Sequence, residues 1–162
     1  MNQESIYVDG QNYQLHLRHI YSDNTSSKPP VLMLHGAIEN GKIFYTEKGK
    51  GLACYLANHG FDVYVADYRG RGESKPNIKD DANHGQHETI VQDIPDLIHY
   101  IEQRNPQRLH VICHSWGGVL ASSTMVRLPE VAKRIASMVC FGTKRSISVK
   151  NVEKFFKVSL FW

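Results

Sequence analysis

The feature that most constrains this chain is an alternation of element types. Short apolar runs at Val31–Leu34, Phe61–Ala66, Leu109–Ile112 and Ile135–Phe141 are separated by stretches with helical spacing. Runs this short suit buried strands, and joining such strands through helices makes them parallel neighbours in one sheet. The pattern therefore predicts an α/β fold, a mostly parallel sheet with flanking helices. Ahead of it, residues 5–9 and 12–20 alternate around Asp9-Gly10, which predicts an N-terminal antiparallel hairpin. Tyr13, Leu15, Leu17 and His19 share one face of its second strand, the period-2 mark of a half-buried strand.

Lys50 to His59 reads as a helix with Leu52, Tyr55 and Leu56 on one face and Gly60 as its stop. Residues 67–87 form a Gly-rich polar loop. Ile90, Val91, Ile94, Leu97, Ile98 and Ile101 then mark a long amphipathic helix, in which Pro95 predicts a kink or a break. A further helix follows the glycine turn after Ile112 and runs through Leu128. The tail from Ser148 to Trp162 reads as amphipathic helix, with Val152, Phe155, Phe156, Leu160 and Trp162 as its apolar residues.

Composition narrows the function classes. The chain has 162 residues, 41% of them hydrophobic and 22% charged, which suits one globular domain or a large part of a bigger one. Net charge is +3 with basic residues scattered, so the clustered stripe of a nucleic-acid binder is missing. No apolar run reaches the length of a transmembrane segment, and the N-terminus lacks a secretory pattern. Cys54, Cys113 and Cys140 are an odd set without metal spacing, which suits a reducing compartment, and a cytoplasmic location is expected. His84, His87 and Glu88 are too few to form a metal site, so neither metal nor cofactor is expected.

The segment that carries chemistry is Cys113-His-Ser-Trp-Gly-Gly118, between a buried strand and a helix. A serine on so tight a turn projects its hydroxyl beyond the sheet edge, and small residues are needed two before and two after it. Gly117 meets that need on one side, and Cys113 stands where glycine is usual on the other. With His35-Gly36 at the end of an earlier strand, and Asp67-Tyr-Arg-Gly-Arg-Gly-Glu-Ser74 after the next, the chain resembles the α/β-hydrolase family. The likeness runs from about Ile6 to Phe141, and Leu52 to Tyr64 resembles its lipase and esterase branches.

That resemblance implies roles. Ser115 matches the nucleophile, and the backbone N–H groups of Trp116 and Ala37 match the oxyanion hole. His35, Gly36, His114, Gly117 and Gly118 support the motif: His35 by shaping the oxyanion loop, His114 by packing in the turn rather than as a base. Asp67 and Arg69 fall to loop architecture. The implied partner is a small-molecule ester or lipid-like substrate, cleaved through an acyl-serine intermediate. A non-catalytic hydrolase-fold binding protein is the alternative.

A rival pattern is Gly36-Ala-Ile-Glu-Asn-Gly41-Lys42, which fits the first seven positions of a phosphate-binding P-loop. Its next position is Ile43, where a Mg²⁺-binding hydroxyl is required, and an NTPase reading leaves Cys113–Gly118 without a purpose.

A serine hydroxyl needs a base, and the base an orienting acid, in the chain order Ser, Asp or Glu, His. All nine histidines lie at or before position 114, and only Glu130 and Glu153 follow Ser115 as acids. Two hairpin strands and four parallel ones also fall short of the full family sheet. The expectation is therefore an incomplete α/β-hydrolase domain over 1–162, lacking the C-terminal strands that carry acid and base, with about 148–162 starting a cap or connecting helix.

Overall fold

A computed structural model describes residues 1–23 and 28–146. The strands are β1 (Asn2–Asp9), β2 (Gln14–Tyr21), β3 (Pro30–Leu34), β4 (Asp62–Asp67), β5 (Leu109–His114) and β6 (Ile135–Phe141). They form one sheet in the order β1-β2-β4-β3-β5-β6. The hairpin β1–β2 and the pair β2–β4 are antiparallel, whereas β3, β4, β5 and β6 run parallel. The expected architecture is present, with the hairpin joined to the parallel strands through β4.

Helix α1 (Leu52–Asn58) carries the chain from β3 to β4 on one face of the sheet. On the other face lie α2 (Gln86–Glu88), α3 (Ile94–Arg104) and α4 (Trp116–Arg127), with the short α5 (Pro129–Ala132) leading into β6. The larger core packs Leu32, Leu34, Tyr64 and Ala66 of the sheet against Ile94, Leu97, Ile98 and Ile101 of α3 and Leu120 and Ala121 of α4. Each fully buried α3 side chain contributes about 1.5–3 kcal/mol over exposure. The smaller core packs Val31, Met33, Val63 and Val65 against α1.

Because β4 flanks β3 on one side and β5 flanks it on the other, the connections leave β3 in opposite directions. The crevice beyond the carboxyl ends of β3 and β5 is the place where such sheets bind ligands.

Several expectations need correction. Helix α1 buries Ala53, Cys54 and Ala57, while Leu52 and Tyr55 are exposed; small residues let the helix sit close to β2 and β4. Strand β2 is buried on both faces, because Leu15 and Leu17 join the larger core and Ile20, on the other face, joins the smaller one: His16 is as buried as Leu15 and Leu17, and Tyr13 precedes the strand. His16 tolerates that position because Asp67 Oδ2 lies 2.9 Å from its Nδ1 and Ser5 Oγ 2.9 Å from its Nε2. Strand β6 is mostly exposed after Ile135, being an edge strand among the described residues.

Pro95 does not break the helix. Residues 86–104 stay helical, and a π-helical stretch, Thr89–Asp93, precedes the proline, which sits in the first turn of α3. The wider turn accommodates a ring without an N–H to donate. It also places Asp93, fully buried, against Arg69, with Nη2 2.6 Å from Oδ1. The expected tail helix from Ser148 lies outside the described residues. Among the described residues, no helix is long and apolar enough to cross a membrane.

Candidate active site

Strand β5 ends at His114, and the next residue, Ser115, turns the chain into α4 with φ 51° and ψ −121°. No other non-glycine described residue has positive φ. Such a backbone costs on the order of 1–3 kcal/mol and persists only where its surroundings enforce it. Here they do: the Ser115 N–H donates to Phe141 O at 2.8 Å, and its carbonyl accepts from Gly118 N–H at 3.2 Å and Thr143 Oγ1 at 3.0 Å. The Ser115 side chain does not cap the helix it precedes, so the hydroxyl is not consumed by local structure.

The turn is tight on its inner side. A Cβ on Gly117 would sit 2.5 Å from His35 O and 2.7 Å from Leu34 O, so α4 starts directly over the end of β3. A Cβ on Gly36 would sit 3.1 Å from Ser115 Cβ, which fixes how near the loop after β3 comes to the serine. Gly36, Ala37 and Trp116 line one cavity of about 210 Å³. The Ala37 N–H makes no hydrogen bond within the described residues, and Trp116 is the first residue of α4, at the helix's positive end.

His35 is fully buried; its Nδ1 lies 2.7 Å from Gly36 O, while its Nε2 accepts the Tyr68 N–H at 3.4 Å. Those partners fix a neutral tautomer with the proton on Nδ1. Burial lowers its pKa, although the Gly36 carbonyl opposes that shift. His35 therefore braces the loop against Tyr68. Cys113 is buried beneath the turn, and burial pushes its thiol pKa up, so it packs as a small apolar residue beside Cys140 of β6.

Glu39 went unassigned in the sequence. Its Oε2 accepts the Gly36 N–H at 2.9 Å and lies 2.7 Å from His114 Nδ1, clasping the loop after β3 to the residue before Ser115. The signal available was an acid three residues after the glycine, the spacing by which a carboxylate reaches back to a backbone N–H. Burial opposes ionisation of Glu39, but His114 and the Gly36 N–H outweigh it and hold its pKa below 4.5. A carboxylate with a depressed folded pKa stabilises fully above its unfolded value and loses that contribution as pH falls through the folded one. Glu39→Ala is thus expected to cost about 1.5 kcal/mol at neutral pH. The gap between the melting curves of the two proteins should close only in acid below the ordinary glutamate range; equal stability at pH 7 would contradict the clasp.

The loop from Asp67 is held from inside. Asp67 accepts the N–H groups of Gly41 at 2.7 Å and Glu73 at 3.0 Å in addition to facing His16. Burial raises its pKa, but these three partners prevail and hold it low. The Gly41 N–H is therefore committed to Asp67, and Gly41–Ile43 is a single 3₁₀ turn rather than the α-helix a P-loop requires. No group of three His, Cys, Asp or Glu side chains among the described residues is placed to hold a metal ion.

A six-stranded sheet of this order, with a strained serine between strand and helix at its crevice, defines an α/β hydrolase. A family model described as serine aminopeptidase, S33, matches residues 25–162, and the chain belongs to that family. Among curated relatives, triacylglycerol lipase 1 of Arabidopsis thaliana is 27% identical, over 70% of this chain and 31% of its own length. Human gastric triacylglycerol lipase is 26% identical, over 99% of this chain and 44% of its own. This chain thus spans less than half the length of either lipase. The solved thioesterase domain from the curacin biosynthetic pathway superposes with a TM-score of 0.69 at 20% identity, covering 99% of this chain and 54% of that one. At that identity the likeness concerns the fold alone.

Proposed function

We propose that residues 1–162 carry the nucleophile and oxyanion donors of a serine hydrolase acting on carboxylic esters. The observation that carries this reading is the strained Ser115, held beside Gly36, with Gly36, Ala37 and the adjoining Trp116 lining one cavity. In this reading Ser115 Oγ attacks the ester carbonyl and passes its proton to a base, and the carbonyl oxygen takes the negative charge. The N–H groups of Ala37 and Trp116 stabilise that oxyanion. Collapse expels the alcohol and leaves an acyl-serine, which water hydrolyses to the acid and free serine.

The lipase relatives favour esters over the peptides that the family description names. The base and its acid belong, in this proposal, to sequence beyond residue 162, since no histidine follows His114. The test is hydrolysis of p-nitrophenyl butyrate and of an aminoacyl p-nitroanilide by the protein translated from the complete reading frame. Ester turnover is expected from that protein, and a rate at least about 10⁴-fold lower from residues 1–162 alone. A reading frame closing at Trp162 with no companion chain, or anilide cleavage without ester cleavage, would contradict the proposal.

A further inference from the structure

Gly36 is pinned from both sides. Its N–H donates to Glu39 Oε2 at 2.9 Å, and its carbonyl oxygen lies 2.7 Å from His35 Nδ1, the protonated nitrogen of that ring. The carbonyl matters because Gly36 C=O and Ala37 N–H belong to one planar trans peptide and point in opposite directions. Holding the Gly36 oxygen therefore sets the direction of the Ala37 N–H. The same Glu39 oxygen lies 2.7 Å from Nδ1 of His114, the residue before Ser115. One carboxylate oxygen thus joins the loop that carries an oxyanion amide to the turn that carries the nucleophile.

What this link supplies is distance. The His114 and Glu39 side chains are 39% and 26% exposed, and an ion pair so open to solvent contributes little by charge alone. The approach it governs is close: a Cβ on Gly36 would sit 2.6 Å from Glu39 Oε2 and 3.1 Å from Ser115 Cβ. A donor stabilises a developing oxyanion only from about 2.7–3.1 Å, so small changes in this spacing act on the transition state. The far end of the loop is fixed separately, by Asp67 on the Gly41 N–H at 2.7 Å. Loss of the Glu39 bonds would free the stretch that contains Ala37 and leave the rest of the loop anchored.

We propose that Glu39 is a positioning residue for the reaction, setting the distance between the Ala37 N–H and Ser115, so that its loss lowers kcat rather than substrate binding. This rests on the reading of Ser115 and Ala37 as nucleophile and oxyanion donor. Glu39 acts through Gly36 and His114 and exchanges no proton with the substrate. Its geometry, more than its charge, is what the site uses, and a glutamine oxygen can accept the same two bonds.

The test compares Glu39→Ala and Glu39→Gln in the protein translated from the complete reading frame, well below the melting temperature of either and with folding checked by circular dichroism. For p-nitrophenyl butyrate, Glu39→Ala is expected to lower kcat about 10²-fold with KM changed less than about threefold, and Glu39→Gln to restore kcat to within about threefold of the parent. Affinity for a short trifluoromethyl ketone, which forms an oxyanion on the serine, should fall and recover by the same factors. Hydrogen–deuterium exchange of residues 36–41 should be about tenfold faster in Glu39→Ala and return towards the parent in Glu39→Gln. Unchanged kcat in Glu39→Ala, a rise in KM alone, or a glutamine variant as slow as the alanine one overturns the proposal. Reaction of the parent with a fluorophosphonate separates the two readings. A labelled Ser115 with unchanged turnover in Glu39→Ala removes the positioning role alone. An unlabelled Ser115 in a parent that hydrolyses esters, with faster exchange in Glu39→Ala, removes the nucleophile and leaves Glu39 holding the loop.

Discussion

Replacing Ser115 by alanine is expected to abolish ester hydrolysis, with kcat falling at least about 10⁴-fold, while leaving the melting temperature close to that of the parent. The activity loss follows because nothing else at the end of β5 offers a nucleophile: Cys113 faces the core with its thiol pKa raised by burial. The magnitude is that of nucleophile removal in serine hydrolases generally. Stability should barely move, because the backbone N–H and carbonyl make the bonds that hold the turn, whereas the side chain caps nothing. Ser115→Gly separates the two effects further. Glycine adopts φ 51° without the Cβ penalty, so that variant should be about 1 kcal/mol more stable and equally inactive. Thermal melts and p-nitrophenyl butyrate turnover check both, and a variant that lost stability along with activity would contradict the account of strain.

The second large effect is expected at Gly117. A Cβ there would meet two backbone carbonyl oxygens, His35 O at 2.5 Å and Leu34 O at 2.7 Å, and neither can rotate away. Either α4 lifts from the sheet or β3 shifts, and both open the core that Leu120 and Ala121 share with Leu32 and Leu34. Gly117→Ala is expected to cost about 3 kcal/mol, the upper end for overpacking, against about 1 kcal/mol returned by alanine's helix propensity. The net loss should lower the melting temperature by roughly 4–8 °C, and activity should fall with it because Trp116 moves relative to Ala37. Gly118→Ala is the comparison. Its Cβ would meet the Thr143 side chain at 2.3 Å rather than backbone, so the cost should be smaller, about that of the Thr143 hydrogen bond to the Ser115 carbonyl that is given up when the side chain turns. Equal melting of Gly117→Ala and the parent protein would refute the close approach of α4 to β3.

Much of the fold was legible because its signals are local. The apolar runs became β3 to β6, Asp9-Gly10 became the turn of the hairpin, and Cys113–Gly118 lies where strand gives way to helix. What escaped depends on partners distant in sequence. Periodicity placed Leu52 and Tyr55 on the inner face of α1, but close packing against the sheet selected Ala53, Cys54 and Ala57 instead. The burial of His16 depends on Asp67, from β4, which comes within hydrogen-bond distance of it. Pro95 signalled an interruption, yet a π turn absorbed it and delivered Asp93 to Arg69. At the candidate site, Gly36 lies beside Ser115, and Ala37 and Trp116 line one cavity, while Glu39 was missed because its role exists only once His114 is beside it.

One serine has a competitor on geometric grounds. Ser5 Oγ lies 2.9 Å from His16 Nε2, and His16 Nδ1 lies 2.9 Å from Asp67 Oδ2, a serine–histidine–aspartate chain remote from the end of β5. Ser5 sits within regular strand β1 without a positive φ, and its Oγ also accepts from Arg18 Nη1 at 3.2 Å. The measurement that decides the central claim is therefore reaction of the complete protein with a fluorophosphonate, followed by intact mass and peptide mapping. One phosphonyl group per chain on the peptide containing Ser115, and none in Ser115→Ala, is the predicted result. Modification of Ser5 instead, or an unmodified Ser115 in a folded protein that hydrolyses esters, would contradict it.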